Sequence, residues 1–146
     1  MPPAAIIGAH HMGFSVSDLD RSIRFYCDVL GGALMREPHD GDSPAFSGRM
    51  ALVAFGMFGL DLFEHAENDG SAFQPVRTGL DHLAFPAQSV EELEQWASWL
   101  DNCGVSHSDI RDAGDFGSMF NFADPDGIQL EFIFVDLEKV AAAYTT

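Results

Sequence analysis

"HLAFPAQSVEELEQWASWLDNCGV", residues 82–105, can be laid over "HMGFSVSDLDRSIRFYCDVLGGAL", residues 11–34, and that overlay decides the fold. His11 and His82 stand 71 positions apart (82 − 11), as do Phe14 and Phe85, Phe25 and Trp96, Val29 and Leu100, and Leu34 and Val105. Each copy opens with alternating apolar residues, the mark of a half-buried strand. A polar break and an amphipathic helix follow. Asp18 and Ser89 occupy matching N-cap positions, and the helices are expected to stop near Gly31-Gly32 and near Gly104.

The ends of the halves match too. Leu60-Asp61-Leu62 aligns with Leu130-Glu131-Phe132 at an offset of 70 (130 − 60). Before the later strand, Asp124-Pro125-Asp126-Gly127 forms a strong hairpin turn, since proline presets one φ and glycine takes a positive one cheaply. Gly56 and Gly59 bracket a weaker bend in the first half. Each half therefore reads strand, helix, strand, strand, strand: 9–17, 18–30, 33–38, 49–57 and 59–65, then 80–87, 89–103, 105–110, 117–123 and 128–135. The expected fold is α+β, a single domain over 1–146 of two tandem modules, 8–65 and 80–135. Residues 66–79 form the linker, 39–48 a long exposed loop, and 136–146 a tail with a short helix.

Strand alternation sorts the side chains. Met12, Phe14 and Val16 share one face, and His11, Gly13 and Ser15 the other. His10 falls on the Met12 side, as a neighbour capping the sheet edge. In the second half Leu83 and Phe85 face away from His82 and Ala84, and Glu131 and Asp61 stand opposite apolar rows. His11, Asp61, His82 and Glu131 thus occupy the faces that the helix-packed core leaves free. A carboxylate there is expensive to keep ionised without a cation or donors to offset its charge. Two imidazoles with one or two carboxylates suit a divalent zinc, iron, nickel or manganese ion and can leave positions open for substrate. Asp61 is the shorter acid and stands either as a ligand or as an acceptor behind the ligands. His39, His65 and His107 are expected to be solvated and structural.

Composition narrows the partners. The chain has 146 residues, 47 % hydrophobic and 21 % charged, enough for an ordinary core. Its 23 acids against 7 bases give a formal charge of −16, which repels phosphate backbones and argues against nucleic acid. Neither a membrane-length apolar run nor a secretory signal is visible, so a cytoplasmic location is expected. Cys27 and Cys103 are too few for a disulfide framework and are expected to be reduced thiols at helix ends.

His11 five residues before Val16, the run "VSDLDRSIRFYCDVLGG", the second "HLAF" and the closing "FADPDGIQLEF" together resemble the vicinal oxygen chelate superfamily. That superfamily spans glyoxalase I, extradiol dioxygenases, fosfomycin-resistance enzymes and bleomycin-binding proteins. The likeness runs from about residue 8 to 135. It implies two βαβββ modules in an open, barrel-like mixed sheet around a metal, in a homodimer. On the family pattern His11, His82 and Glu131 match three ligand positions, Glu131 also being the catalytic carboxylate, and Asp61 matches a fourth. Glyoxalase I has glutamate at that fourth place. The shorter aspartate draws the carboxylate back from a substrate carbon and weighs against a glyoxalase reaction.

The expected activity is that of a lyase, isomerase or ring-cleaving oxygenase holding a small substrate on the metal through two neighbouring oxygens. The alternative is a binding protein of the bleomycin-resistance type that sequesters an apolar molecule without catalysis. Phe63 and Met119 are candidate substrate-pocket residues, and the segment "PHDGDSPAF" at 38–46 is expected to close over the mouth. Arg36, Arg49, Arg77 and Arg111 are scattered, which disfavours a highly anionic substrate. Phe14, Phe25, Phe85, Trp96, Phe120, Phe122 and Phe132 are assigned to the core.

Overall fold

The computed structural model describes residues 8–43, 46–114 and 117–143. The chain divides into two compact units, Met1–Ser71 and Ala72–Thr146. In the first, β1 (His11–Ser15) leads into α1 (Leu19–Arg24), then β2 (Ala33–Ser43), β3 (Phe46–Phe55) and β4 (Phe58–His65). The sheet order is β1-β4-β3-β2, with β1 parallel to β4 and the remaining pairs antiparallel. The second unit repeats this with β5 (Leu83–Pro86), α2 (Val90–Asn102), β6 (Arg111–Asp112), β7 (Ser118–Ala123) and β8 (Gln129–Phe134), in the order β5-β8-β7-β6. A last helix, α3 (Leu137–Ala143), follows, its first turn capped by the Asp136 carboxylate. The fold is α+β with two four-stranded mixed sheets of βαβββ type.

The helices begin where their caps predict. Asp18 accepts from the Arg21 amide at 2.9 Å, and Ser89 from the Glu92 amide at 3.2 Å. Beyond α1 the chain widens into a π-type turn, Phe25–Val29, in which the Leu30 amide donates to the Phe25 carbonyl. That turn buries Phe25 and Tyr26 together, edge to face at 5.3 Å. Gly32 then lets the chain pass close to the sheet, since a Cβ there would collide with Val53 Cγ1 and lie 2.8 Å from the Tyr26 carbonyl oxygen.

In each unit the helix covers one face of the sheet. Phe14, Val53, Leu60 and Leu62 are buried in the first, and Leu93, Phe120, Leu130 and Phe132 in the second. Trp96 of α2 stacks on Phe132 at 4.5 Å. Of the aromatic residues assigned to the core, Phe14, Phe25, Phe120, Phe122 and Phe132 are buried, whereas Phe85 and Trp96 are half-buried.

Two expected elements differ. Residues 39–48 are not a long loop: β2 and β3 extend through them as a hairpin, with Pro44 and Ala45 outside the described residues. β2 is an edge strand, where proline and glycine cost little because only one side carries the ladder, and register shifts flank Arg36 on the way to His39. The strand expected at 105–110 shrinks to Arg111–Asp112 and an isolated bridge from His107 to Phe122. There the Ser108 hydroxyl accepts the Asn121 amide at 3.0 Å, and the Ser108 amide donates to the Asn121 carbonyl. A side chain replaces the acceptor that the ladder would need next, and regular pairing stops.

Candidate metal centre

In the first unit Asp61 on β4 lies beside Gly13 on β1. Partners in register share a face, and His11, two residues before Gly13, shares it as well. His11 Nε2 stands 4.0 Å from Asp61 Oδ2. Two donors on one zinc-like cation, each with a bond of about 2.1 Å, sit ~3–3.5 Å apart, so a small side-chain rotation closes this pair onto an ion. Gly13, beside Asp61, has little room for a side chain, since a Cβ there would meet the Phe63 ring at 3.1 Å.

The second unit has the same register. Ala84 on β5 lies beside Glu131 on β8, and His82 precedes Ala84 by two. Each half thus offers one imidazole and one carboxylate near a glycine or alanine of its parallel strand pair, His11 from within β1 and His82 from the residue just before β5. The donor types fit a divalent transition metal. Among the described residues, neither half gathers three His, Cys, Asp or Glu side chains tightly enough to hold a metal.

Glu131 is only 6 % exposed. The Asn121 side-chain amide donates to its Oε2 at 3.1 Å, and Arg111 Nη2 lies 3.9 Å from the same oxygen. Arg111 also donates to Asn121 Oδ1 at 3.2 Å, so guanidinium, amide and carboxylate form a chain that leaves Glu131 Oε1 uncommitted to it. These donors supply part of the compensation that a buried carboxylate requires.

A model of the Glyoxalase/Bleomycin resistance protein/Dioxygenase superfamily matches residues 8–132, most of the chain and both strand-paired sets of donors. The chain belongs to that superfamily. The metallothiol transferase FosB of Staphylococcus saprophyticus is 32 % identical over 84 % of this chain and 73 % of its own length. A probable lactoylglutathione lyase of Synechocystis is 28 % identical over 88 % of this chain and 96 % of its own. Among solved structures, a glyoxylase/bleomycin resistance protein/dioxygenase domain from Frankia sp. EAN1pec superposes with a TM-score of 0.80 at 27 % identity. It covers 90 % of this chain and 100 % of that one. Within the superfamily these relatives carry different activities, so membership establishes the fold and not the reaction.

The remaining expected site residues fall as follows. Phe63 is half-buried on the Asp61 face, edge to face with Phe46 at 5.2 Å. Met119 shares the Glu131 face but is 8 % exposed, with Arg111 Nη2 at 3.4 Å from its sulfur. Of the segment 38–46, residues 38–43 belong to β2 and Phe46 begins β3, where a loop over the mouth was expected; Pro44 and Ala45 lie outside the described residues.

Three histidines depart from the solvated role. His65 ends β4, stacked on Phe63 at 6.0 Å. His107 packs on Phe120 and reaches Asp101 at 3.3 Å. His39 lies within β2, half-buried, its Nδ1 at 3.1 Å from the Glu37 carbonyl. His10 is not on an opposite strand face: it precedes β1, where alternation does not apply, and its Nδ1 meets His11 Nδ1 at 2.9 Å. Cys103 caps α2 and Cys27 sits in the π-type turn, both free thiols. Burial, with Asp28 beside it, pushes the Cys27 thiol above its ordinary value. No helix among the described residues is long and apolar enough to cross a membrane.

Sequence reasoning missed Asn121 and Arg111. The signal for Asn121 was present: the turn at 124–127 pairs Ala123 with Gln129 and hence Asn121 with Glu131. Nothing in the spacing pointed to Arg111, which pairs with Met119 on β7 and so shares a face with Asn121 two residues on.

Proposed function

We propose that this protein is a metal-dependent enzyme acting on a small oxygenated organic molecule, with His11, His82 and Glu131 as ligand residues for divalent zinc, iron, nickel or manganese and Asp61 as a further donor. The observation that carries this is the shared register: in both halves a histidine stands two residues before the small residue that faces a carboxylate. One such pair is common in a sheet. Its repetition on the core-free faces of two modules, in a superfamily with metallothiol transferase and lyase members, favours a preserved chemical role.

When bound, such a cation supplies Lewis-acid stabilisation of negative charge developing on substrate oxygens. The chain's own residues do the rest. Asn121 holds one carboxylate oxygen of Glu131 and leaves the other for ligation. Phe63, beside Asp61 on the same strand face, gives an apolar surface for the carbon part of the substrate, and Met119 does the same beside Glu131. The lyase, isomerase and oxygenase chemistries share these parts.

Protein purified without chelator is expected to carry about one divalent ion per chain and to melt lower once stripped. Elemental analysis and thermal melts with added zinc, nickel, manganese or iron(II) test this. Absence of bound metal together with no shift for any of the four would overturn the assignment. In His82→Ala the metal response should disappear, whereas a sequestering protein would bind its ligand unaltered.

A further inference from the structure

We propose that His10 and Asp81 are positioning residues that fix the tautomers of the two ligand histidines, and with them the direction of the metal-binding nitrogens. The inference rests on the metal assignment above and adds residues that the repeat itself singles out. His10 Nδ1 lies 2.9 Å from His11 Nδ1, and Asp81 Oδ1 lies 2.8 Å from His82 Nδ1. Both partners sit immediately before their histidine, and they stand 71 positions apart (81 − 10), the spacing of the repeat. In both halves the contact is to Nδ1, and Nε2 is left over. In the first half Nε2 is the nitrogen that faces Asp61.

A neutral imidazole has one N–H and one lone pair, so occupying one nitrogen as donor makes the other an acceptor. Asp81, an ionised carboxylate, can only accept. His82 therefore carries its proton on Nδ1 and presents the Nε2 lone pair. Asp81 is steadied in turn, since the Gln129 side-chain amide donates to its carbonyl at 3.2 Å from the strand that bears Glu131.

The His10–His11 contact works only if one ring donates and the other accepts. For His11 to present Nε2, it must donate from Nδ1 and His10 must accept there, holding its own proton on Nε2. The two halves thus reach one outcome with unlike acceptors, one charged and one neutral. The charged one makes its histidine the more electron-rich ligand, so removing Asp81 should cost more than removing His10.

The test pairs a readout that needs no metal with one that does. Long-range 15N–1H correlation on the metal-free protein at about pH 8, above the ordinary histidine range, reports which ring nitrogen carries the proton. Wild type should show His11 and His82 protonated on Nδ1. Asp81→Ala should release His82 alone, and His10→Ala should release His11 alone. Chelator-competition titration with manganese and with zinc should then give dissociation constants weakened ~10–100-fold for Asp81→Ala and less for His10→Ala. Asp81→Asn, which can still accept a hydrogen bond, should recover part of the loss.

Unchanged tautomers with unchanged metal affinity in both alanine variants would overturn the inference while leaving the metal assignment standing. If wild type binds neither these two metals nor nickel or iron(II), the metal assignment falls, and with it the role claimed for these residues. Unaltered metal-free melting temperatures in both variants would support a positioning role. A large drop in melting temperature with an unshifted tautomer would count against it.

Discussion

Glu131→Gln should separate the structural cost of the buried carboxylate from its use, because the two move in opposite directions. In the metal-free protein the carboxylate is 6 % exposed, with the Asn121 amide at 3.1 Å and the Arg111 guanidinium at 3.9 Å, beyond hydrogen-bond range. Glutamine keeps the volume and still accepts from Asn121. What is lost is the charge-assisted part of that bond, about 1 kcal/mol; what is relieved is the desolvation of a charge, about 1–3 kcal/mol. The metal-free variant should thus be ~0–2 kcal/mol more stable than wild type. At ~4 °C per kcal/mol for a chain of this length, that is a rise of up to ~8 °C. With a metal at a hundredfold excess over its dissociation constant, wild type should gain ~2.7 kcal/mol, or ~11 °C, and the variant almost none. Differential scanning fluorimetry with and without manganese reads all four numbers. If the variant keeps the full metal increment, Glu131 is not a ligand. If its metal-free melting temperature falls by more than about 8 °C, the carboxylate is a structural partner of Arg111 and the account of its burial is wrong.

Phe132→Ala removes the ring that Trp96 and Phe122 stack against, at 4.5 and 5.3 Å, and should cost ~3–5 kcal/mol in urea unfolding; a loss under about 1 kcal/mol would mean that this core repacks freely. Gly32→Ala drives a Cβ into Val53 and the Tyr26 carbonyl and should destabilise by ~1–3 kcal/mol, read by the same titration, with no loss showing that the π-type turn can shift. The hydrogen bond and charge of Arg49 hold the Asp20 carboxyl below its ordinary 3.8, so the pair's stability is fully present above that value and is lost as pH falls through the lower folded one. Arg49→Met should therefore narrow the stability difference between about pH 6 and pH 3, and equal pH profiles would refute the pairing.

The duplication made much of the architecture legible. Side-chain alternation has a period of two and the repeat an offset of 71, so aligning a few apolar residues was enough to sort the strand faces and set His11, Asp61 and Glu131 opposite the helix-packed rows, whereas His82 lies just before β5. Caps were legible for a local reason: Asp18 and Ser89 satisfy amides three residues on, without tertiary help. The failures came where local composition was overruled. Pro38, Asp40, Gly41 and Asp42 are turn formers, yet they lie in an extended edge strand because its partner β3 supplies hydrogen bonds on one side and nothing has to fit on the other. Val105 to Ile110 has strand formers at its ends, yet the Ser108 hydroxyl captured the bond that a ladder would have used. Alternation also misled at His10, which precedes its strand and so reaches across to the His11 ring.

The same register with different acids suggests how one scaffold diverged within the chain. Asp61 and Glu131 both face a small residue on the parallel neighbour, but glutamate is one methylene longer and is tethered by Asn121, whereas Asp61 stands 22 % exposed near His11. A tethered carboxylate suits constant ligation, since its geometry survives loss and return of the ion. A short one at 4.0 Å from its histidine has less reach toward a substrate carbon. Proton transfer at such a carbon should therefore be rescued by lengthening that acid: Asp61→Glu should raise a proton-abstraction activity if one exists and leave metal affinity within a few-fold of wild type. Loss of metal binding in Asp61→Glu, read by chelator-competition titration with manganese and zinc, would instead show that the length of this donor is matched to the ion.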